Sequence, residues 1–493
     1  MQGIAGAYLP AVSIDRSASK PLHSQLYEAY RDAIESQRLL PGQQAPSTRE
    51  LASLLGLSRT PILSAYSQLI AEGYFESRPG TGTYVGLSLP ERLINVALVR
   101  RPTLRNHLRD RTVSKRSEVF TKLQNADRPL GWGAFNVGQL ALDHFPFRIW
   151  SNLVNRHCRK IRVSLLHLSD PAGSLEFRKK LSIYLRTTRA VDCEPEQILI
   201  TSGGSQQALE IAANVLLEPG DRVWMEDPGY HRAWQPFRLA GCQLIPVPVD
   251  DEGLSVAVGI KQCRKARAVY ATPSHQFPLG VAMTMPRRLE LLDWAQSTGA
   301  WIIEDDYDSA YRYGHLPIPC LQGVDRNLRV IHVGTFSRTL FPSLRLGYLV
   351  VPADLVDRFV AVRQAMDICP SHLYQAVVND LIGEGYLARH IRRMRTLYGT
   401  RRAALIEALE EQFDGRVKVV GGDAGLHLVA ELPSRLQDVE ISERAARRKL
   451  WLWPLSSCFL SPKRRQGLIL GFGGTATKDI PNEVQRLRET VHF

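Results

Sequence analysis

A short apolar run, Trp301-Ile302-Ile303-Glu304, delivers Asp305, and an acid at such a strand end can pair with a protonated ring nitrogen. Tyr307, two residues on, offers a hydroxyl to a ring oxygen. Upstream, Ser202-Gly203-Gly204-Ser205-Gln206-Gln207 follows another apolar run and opens a helix. Its amides and hydroxyls, those of Gly204 and Ser205 among them, can cradle a phosphate at the positive end of the helix dipole. Tyr230, in Asp227-Pro228-Gly229-Tyr230, can stack on a ring. A further run, Val330 to Gly334, leads into Thr335-Phe336-Ser337-Arg338 and on to Arg345. Thr335 adds a hydroxyl there, and Arg345 reaches a phosphate if the loop turns back. Each residue alone reads more simply as a strand-end acid, a core tyrosine or a surface arginine. Their order and spacing shift the balance toward a shared site.

The elements that must position these groups alternate. Apolar runs at Ile198–Thr201, Val223–Glu226, Ala268–Thr272, Trp301–Glu304, Val330–Gly334 and Leu346–Val351 are separated by helical segments. That is an α/β pattern with a largely parallel sheet, and ligands of such sheets gather beyond the carboxyl ends of the strands.

The first eighty-odd residues follow a different rule. Ser47-Thr48-Arg49-Glu50 is a capping box, so a helix starts at Thr48, with Leu51, Leu54 and Leu55 inward and Gly56 as its left-handed stop. Gly56-Leu57-Ser58 then turns into a second helix with Pro61 in its first turn and Ile62, Tyr66, Leu69 and Ile70 on one face. Leu22, Leu26, Ala29, Tyr30, Ala33 and Ile34 predict a covering helix over 21–37. Tyr74 to Arg78 and Thr83 to Val85 flank Pro79-Gly80-Thr81-Gly82 as a hairpin. Helix, helix-turn-helix and wing make a winged-helix unit, which docks the N-terminal end of its second motif helix against a DNA major groove. Ser58, Arg59 and Thr60 then meet phosphates or base edges, flanked by Arg49 and Arg78.

The motifs Pro21-Leu22-x-x-Gln25, Leu40-Pro41-Gly42, Pro46-Ser47-Thr48-Arg49-x-Leu51-Ala52, Leu57-Ser58-Arg59-Thr60 and Gly80-Thr81-Gly82-Thr83-Tyr84-Val85 resemble the GntR family of winged-helix regulators over about residues 18–86. The resemblance places Ser47, Thr48, Tyr66 and the tip Gly80-Thr81-Gly82 in the DNA-contacting set. Residues 132–475 resemble fold-type I aminotransferases, which bind pyridoxal 5'-phosphate. The segments Thr272-Pro273-Ser274-His275-Gln276-Phe277-Pro278-Leu279-Gly280, Ile303 to Asp308 and Gly334-Thr335-Phe336-Ser337 are similar to those of the MocR/GabR subgroup. The resemblance implies a winged helix joined to a fold-type I domain with a mainly parallel sheet and a smaller C-terminal α+β part. It adds His275, Ser337 and Arg338 to the cofactor-contacting set and implies a homodimer that binds an operator and a small effector.

Arg338 breaks the pattern, standing where the subgroup carries its Schiff-base lysine. A Schiff base needs a neutral primary amine, and a guanidinium stays protonated in proteins. No lysine lies between Lys265 and Lys418 to replace it. Leu168 stands where the subgroup often has a phosphate-binding tyrosine, and Gly467 to Phe472 lacks the arginine that holds a substrate carboxylate in many aminotransferases. Arg232 or Arg464-Arg465 are the candidates to compensate. The expected protein is therefore a cytoplasmic transcription regulator that senses a pyridoxal-phosphate-type or other small effector without a covalent bond, and no residue is assigned as catalytic. Two other readings are a working aminotransferase with an accessory DNA-binding domain and a ligand-free dimerisation scaffold.

Composition sets the remaining bounds. The chain has 493 residues, too many for one core, and is 44% apolar and 23% charged, as expected of a globular protein without membrane spans. Its seven cysteines show neither Cys-x-x-Cys pairing nor metal-ligand spacing, so reduced thiols and no metal are expected. Net charge is +13, yet residues 1–90 balance at 7 basic and 7 acidic, whereas 91–128 carry 10 against 4. That stretch reads as a basic linker over 87–131, between an extension 1–17 with the winged helix 18–86 and the large domain 132–493.

Overall fold

The computed structural model describes residues 14–87, 114, 133–160, 163–314 and 318–491, which divide into one unit up to Ser114 and another from Lys115 on. The basic linker expected over 87–131 lies outside the described residues apart from Leu87 and Ser114.

In the first unit, helix α1 (Leu22–Glu35) covers α2 (Thr48–Leu55) and α3 (Arg59–Ala71), and strands β1 (Gln44–Ala45), β2 (Phe75–Arg78) and β3 (Gly82–Val85) form an antiparallel sheet in the order β1-β3-β2. The capping box forms: the Ser47 hydroxyl accepts from the Glu50 amide at 3.2 Å and the Glu50 carboxylate accepts from the Ser47 amide at 2.9 Å. Gly56 closes α2 at φ 61°. Tyr30, Tyr66 and Phe75 meet edge to face at 5.1 to 5.6 Å and hold helices and wing together. Two apolar residues assigned inward face solvent instead, Leu54 at 50% exposure and Ile70 at 39%. In α2 the turn set by Leu51 and Ala52 already fills the contact with α3, and in α3 Ala65 takes the buried place beside Tyr66 and Leu69.

The second unit is built on a sheet ordered β4-β11-β10-β9-β8-β5-β6-β7. Its strands are β4 (Ile198–Thr201), β5 (Arg222–Asp227), β6 (Gln243–Asp250), β7 (Gly253–Leu254), β8 (Ala268–Ala271), β9 (Trp301–Asp306), β10 (Val330–Thr335) and β11 (Gly347–Val350). The run β10-β9-β8-β5-β6 is parallel throughout, and β11 lies antiparallel between β10 and β4. Strand β6 has no counterpart among the runs read from sequence because Pro246 and Pro248 interrupt it, each lacking an N–H for a ladder. It is tolerated because β6 pairs along its length only with β5, and with β7 only at Val249 and Asp250.

A smaller antiparallel sheet follows, ordered β12-β13-β15-β14 from Lys418–Val420, His427–Glu431, Gly467–Gly471 and Trp453–Pro454. Helix Asp438–Arg447 packs on it, and Asp438 beneath that helix binds the Ser456 hydroxyl at 2.6 Å and the Gly467 amide at 3.1 Å. No described helix is long and apolar enough to cross a membrane.

Candidate functional site

Two sites emerge, one in each unit. On the winged helix, Ser58 caps α3 in an extended conformation and makes no side-chain bond to the helix, so its hydroxyl is available. Arg59 stands on the first turn, exposed, with its guanidinium 3.4 Å from the Thr48 hydroxyl, and Thr60, Arg49 and Ser47 are exposed on the same pair of helix starts. Arg78 reaches across the hairpin to the Tyr84 ring, 4.6 Å from its centroid, and to Glu76 at 3.7 Å. The tip is exposed from Gly80 to Gly82, and the Thr81 carbonyl is held by Gln44 at 2.9 Å and by the Tyr84 hydroxyl at 3.1 Å. Tyr66 departs from this set. It is buried, its hydroxyl donates to the Pro46 carbonyl at 2.9 Å, and it belongs to the core rather than to a DNA-facing surface.

In the larger unit a cleft of about 1190 Å³ opens beyond the carboxyl ends of the parallel strands. Ser205, Tyr230, Asp305, Tyr307, Thr335, Ser337, Arg338 and Arg345 all line it. Asp305 comes from β9, where the register sets it beside Val333 of β10. Its Oδ2 accepts from the Tyr270 hydroxyl at 2.9 Å, while Oδ1 is buried and finds no partner. Burial pushes the Asp305 carboxyl up to about 7, against the opposing pull of the Tyr270 hydrogen bond. An acid held in this way gains from a cationic N–H donor arriving in the cleft, as a protonated pyridine nitrogen would.

Behind Tyr307 the side chains form a second layer. The Tyr307 hydroxyl and an Asp308 oxygen each lie 2.9 Å from His275 Nδ1. One ring proton shared between them leaves the Tyr307 hydroxyl proton free to donate into the cleft. His275 itself is buried and stands beside Tyr307, not among the residues that line the cleft. The His427 ring lies nearby, tilted by 55° to that of His275 with centroids 5.3 Å apart, and burial drives its imidazole down to about 3, so it is neutral and donates to the Pro278 carbonyl at 3.1 Å. Glu226, under the floor, anchors the Thr272 amide at 2.9 Å and the Thr272 hydroxyl at 2.6 Å.

At the opposite end, helix Gly204–Leu216 starts at the cleft and presents Ser205. Arg345, in the left-handed region at φ 53°, folds its guanidinium over Gly204 and donates to the Gly203 carbonyl. Gly204 lies under Arg345, and a side chain there would meet the guanidinium at 3.4 Å. Ser337 keeps a buried hydroxyl without partner, and its amide donates to Thr335 Oγ1 at 3.1 Å. These open donors beside a helix N-terminus suit a phosphate.

Arg338 points into the cleft. Its guanidinium stands over the Tyr307 ring, 5.9 Å from the centroid, and so close to Gly138 that a Cβ there would lie 2.8 Å from Nη1. Among the described residues it makes no hydrogen bond and no ion pair. Of the arginines offered as compensation, Arg232 lines the cleft, whereas Arg465 pairs with Glu431. Leu168 is 75% exposed.

Sequence reasoning missed Gly138, Tyr270, Phe277 and the aromatic wall of Trp234, Trp451 and Trp453. Only the glycine carried a signal, in Asn136-Val137-Gly138, and its meaning needs the position of Arg338. The fold also assembles Glu304, Cys320 and His332, whose possible metal-binding atoms lie within 4.8 Å of one another. Glu304 already accepts the Leu321 amide at 2.6 Å, the Gln322 amide at 3.0 Å and contacts His332 Nδ1 at 3.1 Å, so the group is a hydrogen-bonded part of the core.

Comparison with known proteins places both units. Residues 22–85 match the family described as bacterial regulatory proteins, gntR family, and residues 135–464 match aminotransferase class I and II. The chain is 37% identical over 485 residues to the probable rhizopine catabolism regulatory protein MocR of Rhizobium meliloti, covering 96% of this chain and 94% of that one. It is 34% identical over 475 residues to the uncharacterized HTH-type transcriptional regulator YhdI of Bacillus subtilis, covering 96% and 97%. Among solved structures, the kynurenine aminotransferase of Pyrococcus horikoshii, in complex with PMP, matches with a TM-score of 0.68 and 28% identity over 81% of this chain and 98% of that one.

Proposed function

Because the chain belongs to the GntR family of bacterial regulators, in the MocR-type group that joins a winged helix to a class I and II aminotransferase-like domain, we infer that it is a DNA-binding transcription regulator whose cleft takes a pyridoxal-phosphate-type effector without covalent attachment. One observation carries the reading. The cleft keeps the groups that bind such a molecule, while the side chain at the condensing position is the guanidinium of Arg338.

The residues fit the cofactor. Asp305 Oδ1 is an orphaned buried acceptor suited to a pyridine N–H, Tyr307 lines the cleft, and Ser205, Ser337 and Arg345 would surround the phosphate end. Such a cofactor supplies an electron-withdrawing ring and a reactive carbonyl when bound to an enzyme with an attacking amine. Here Tyr307 and Asp305 would orient the ring, Arg345 and Ser337 would hold its anionic end, and Tyr230, edge to face with Phe277 at 5.3 Å, would pack on it. With neither an amine to condense nor a lysine to move the substrate proton, transamination is not supported.

Residues 18–86 then serve as the DNA-binding head, 87–131 as the tether, and 132–493 as the sensing and dimerisation body. A homodimer presents two heads to an operator, and effector binding changes how they engage it. Ser58, Arg59, Thr60 and Arg78 are the contact residues the exposed surface favours. The test is fluorescence anisotropy of the full chain on duplex DNA from upstream of its own gene at fixed salt, with and without pyridoxal phosphate. Specific binding that the effector shifts at least severalfold supports the reading. Specific DNA binding indifferent to every cofactor form favours the ligand-free scaffold, and absence of specific binding overturns the regulator.

A further inference from the structure

Arg338 does more than remove a lysine. It puts into the cleft a fixed cation with five N–H donors and no acceptor, and nothing described on this chain pairs with it. Gly138 gives it room and the Tyr307 face lies beneath it, 5.9 Å away. On the reading given above, Tyr307 would hold the ring's phenolic oxygen at position 3, and Arg338, whose guanidinium lies over the Tyr307 ring, would be the group beside the neighbouring substituent at position 4. That substituent distinguishes the members of this ligand class: an aldehyde in pyridoxal phosphate, an alcohol in pyridoxine phosphate, an ammonium in pyridoxamine phosphate.

We propose that Arg338 makes the cleft selective for pyridoxine-type phosphates that carry an oxygen acceptor at ring position 4 and rejects the amine form. The inference rests on the pyridoxal-phosphate-type reading of the cleft. A guanidinium donates to an aldehyde or alcohol oxygen in a charge-assisted hydrogen bond. An ammonium at the same place accepts nothing and sets two cations side by side where solvent screening is weak. An enzyme that uses a lysine here must hold the amine form as a normal partner in turnover. This chain has exchanged that tolerance for discrimination, and the regulator would report the oxidised or alcohol pool and ignore the aminated one.

The experiment is a calorimetric titration of the full chain at pH 7.5 with pyridoxal phosphate, pyridoxine phosphate and pyridoxamine phosphate, repeated on Arg338→Met. Pyridoxine phosphate matters because it cannot condense with any surface lysine. In wild type the two oxygen forms should bind at least about tenfold more tightly than the amine form. In Arg338→Met that gap should close to within about threefold, through weaker binding of the oxygen forms and stronger binding of the amine. Amine binding equal to or tighter than the oxygen forms in wild type overturns the selectivity while leaving the effector reading intact. A gap that survives in Arg338→Met overturns the assignment to Arg338. If no form binds, the effector reading fails and this inference with it. If Arg338→Met does not fold, Arg338→Gln takes its place and must close the gap in the same way.

Discussion

The Tyr270 hydroxyl donates to Asp305 Oδ2 at 2.9 Å and leaves Oδ1 of the same carboxyl group buried without a partner. One oxygen is thus fixed by the neighbouring strand and the other is held in reserve, and the fold bears the cost of a buried acid whose proton affinity is raised to about 7.

That cost predicts a stability effect of known sign. In the unfolded chain Asp305 ionises near the ordinary aspartate value, whereas in the fold it keeps its proton up to about 7, so its ionisation opposes folding as pH rises between those limits. Asp305→Asn, which still accepts from Tyr270, should leave stability unchanged near pH 4. It should raise it progressively to pH 7 and hold a constant gain above, on the order of a few kcal/mol at most. Thermal melts of the ligand-free protein across pH 4–8 measure this. The same substitution should weaken a pyridine-ring ligand at pH 7.5.

Gly138 is predicted to be intolerant for two reasons. Its φ of 96° disfavours any side chain, and an added Cβ meets the Arg338 guanidinium at 2.8 Å. Gly138→Ala should lower stability by about 1 kcal/mol or more and push Arg338 toward the ligand space, reducing binding. Adding Arg338→Ala should recover the steric part of the binding loss but not the backbone part, as titration and thermal melts of the two variants together would show.

The contact between Tyr307 and His275 predicts a coupled effect. His275→Leu removes the partner that orients the Tyr307 hydroxyl and leaves the buried Asp308 carboxylate uncompensated, so stability should fall by about 3 kcal/mol and ligand affinity should drop. Replacing Asp308 with Leu as well should return most of the stability and none of the orientation. Divergence of melting temperature from ligand affinity in the double variant distinguishes the two roles.

In the winged helix, Tyr66 and Arg59 should separate cleanly. Tyr66→Phe orphans the Pro46 carbonyl and should destabilise the head by about 1–2 kcal/mol while leaving DNA affinity at 25 °C nearly unchanged. Arg59→Ala should leave the melt untouched and cost about 1–3 kcal/mol in DNA binding. Anisotropy titrations and differential scanning of both variants give the comparison.

Local rules made much of this readable in advance. The capping box at Ser47 and Glu50, the left-handed Gly56 and the strand-end position of Asp305 each rest on neighbours in sequence, and each is found as expected. What depends on distant packing was not readable. Tyr66 carries a hydroxyl suited to a phosphate, yet its bond to Pro46 is decided by how the helices dock. His275 lies in a cofactor-like segment, and its contacts with Tyr307 and Asp308 depend on side chains some thirty positions away in sequence. Tyr270 occupies the middle of an apolar strand and gives no sign that it faces Asp305. Strand β6 was hidden by its prolines, which are tolerated because β7 pairs with it only at Val249 and Asp250, beyond both of them.

The loop carrying Ser337, Arg338 and Arg345 leaves β10 and returns as β11, its feet pinned where Thr335 pairs with Gly347 and where the Phe336 amide meets the Leu346 carbonyl at 3.0 Å. Its path is therefore set by two antiparallel strands buried in the sheet, independent of what sits at its crest. The crest works like a socket into which one side chain can be exchanged for another without retooling the frame. A single such exchange, a guanidinium where the fold's relatives set an amine, alters what the socket offers a ligand while the strands beneath it stay as they are.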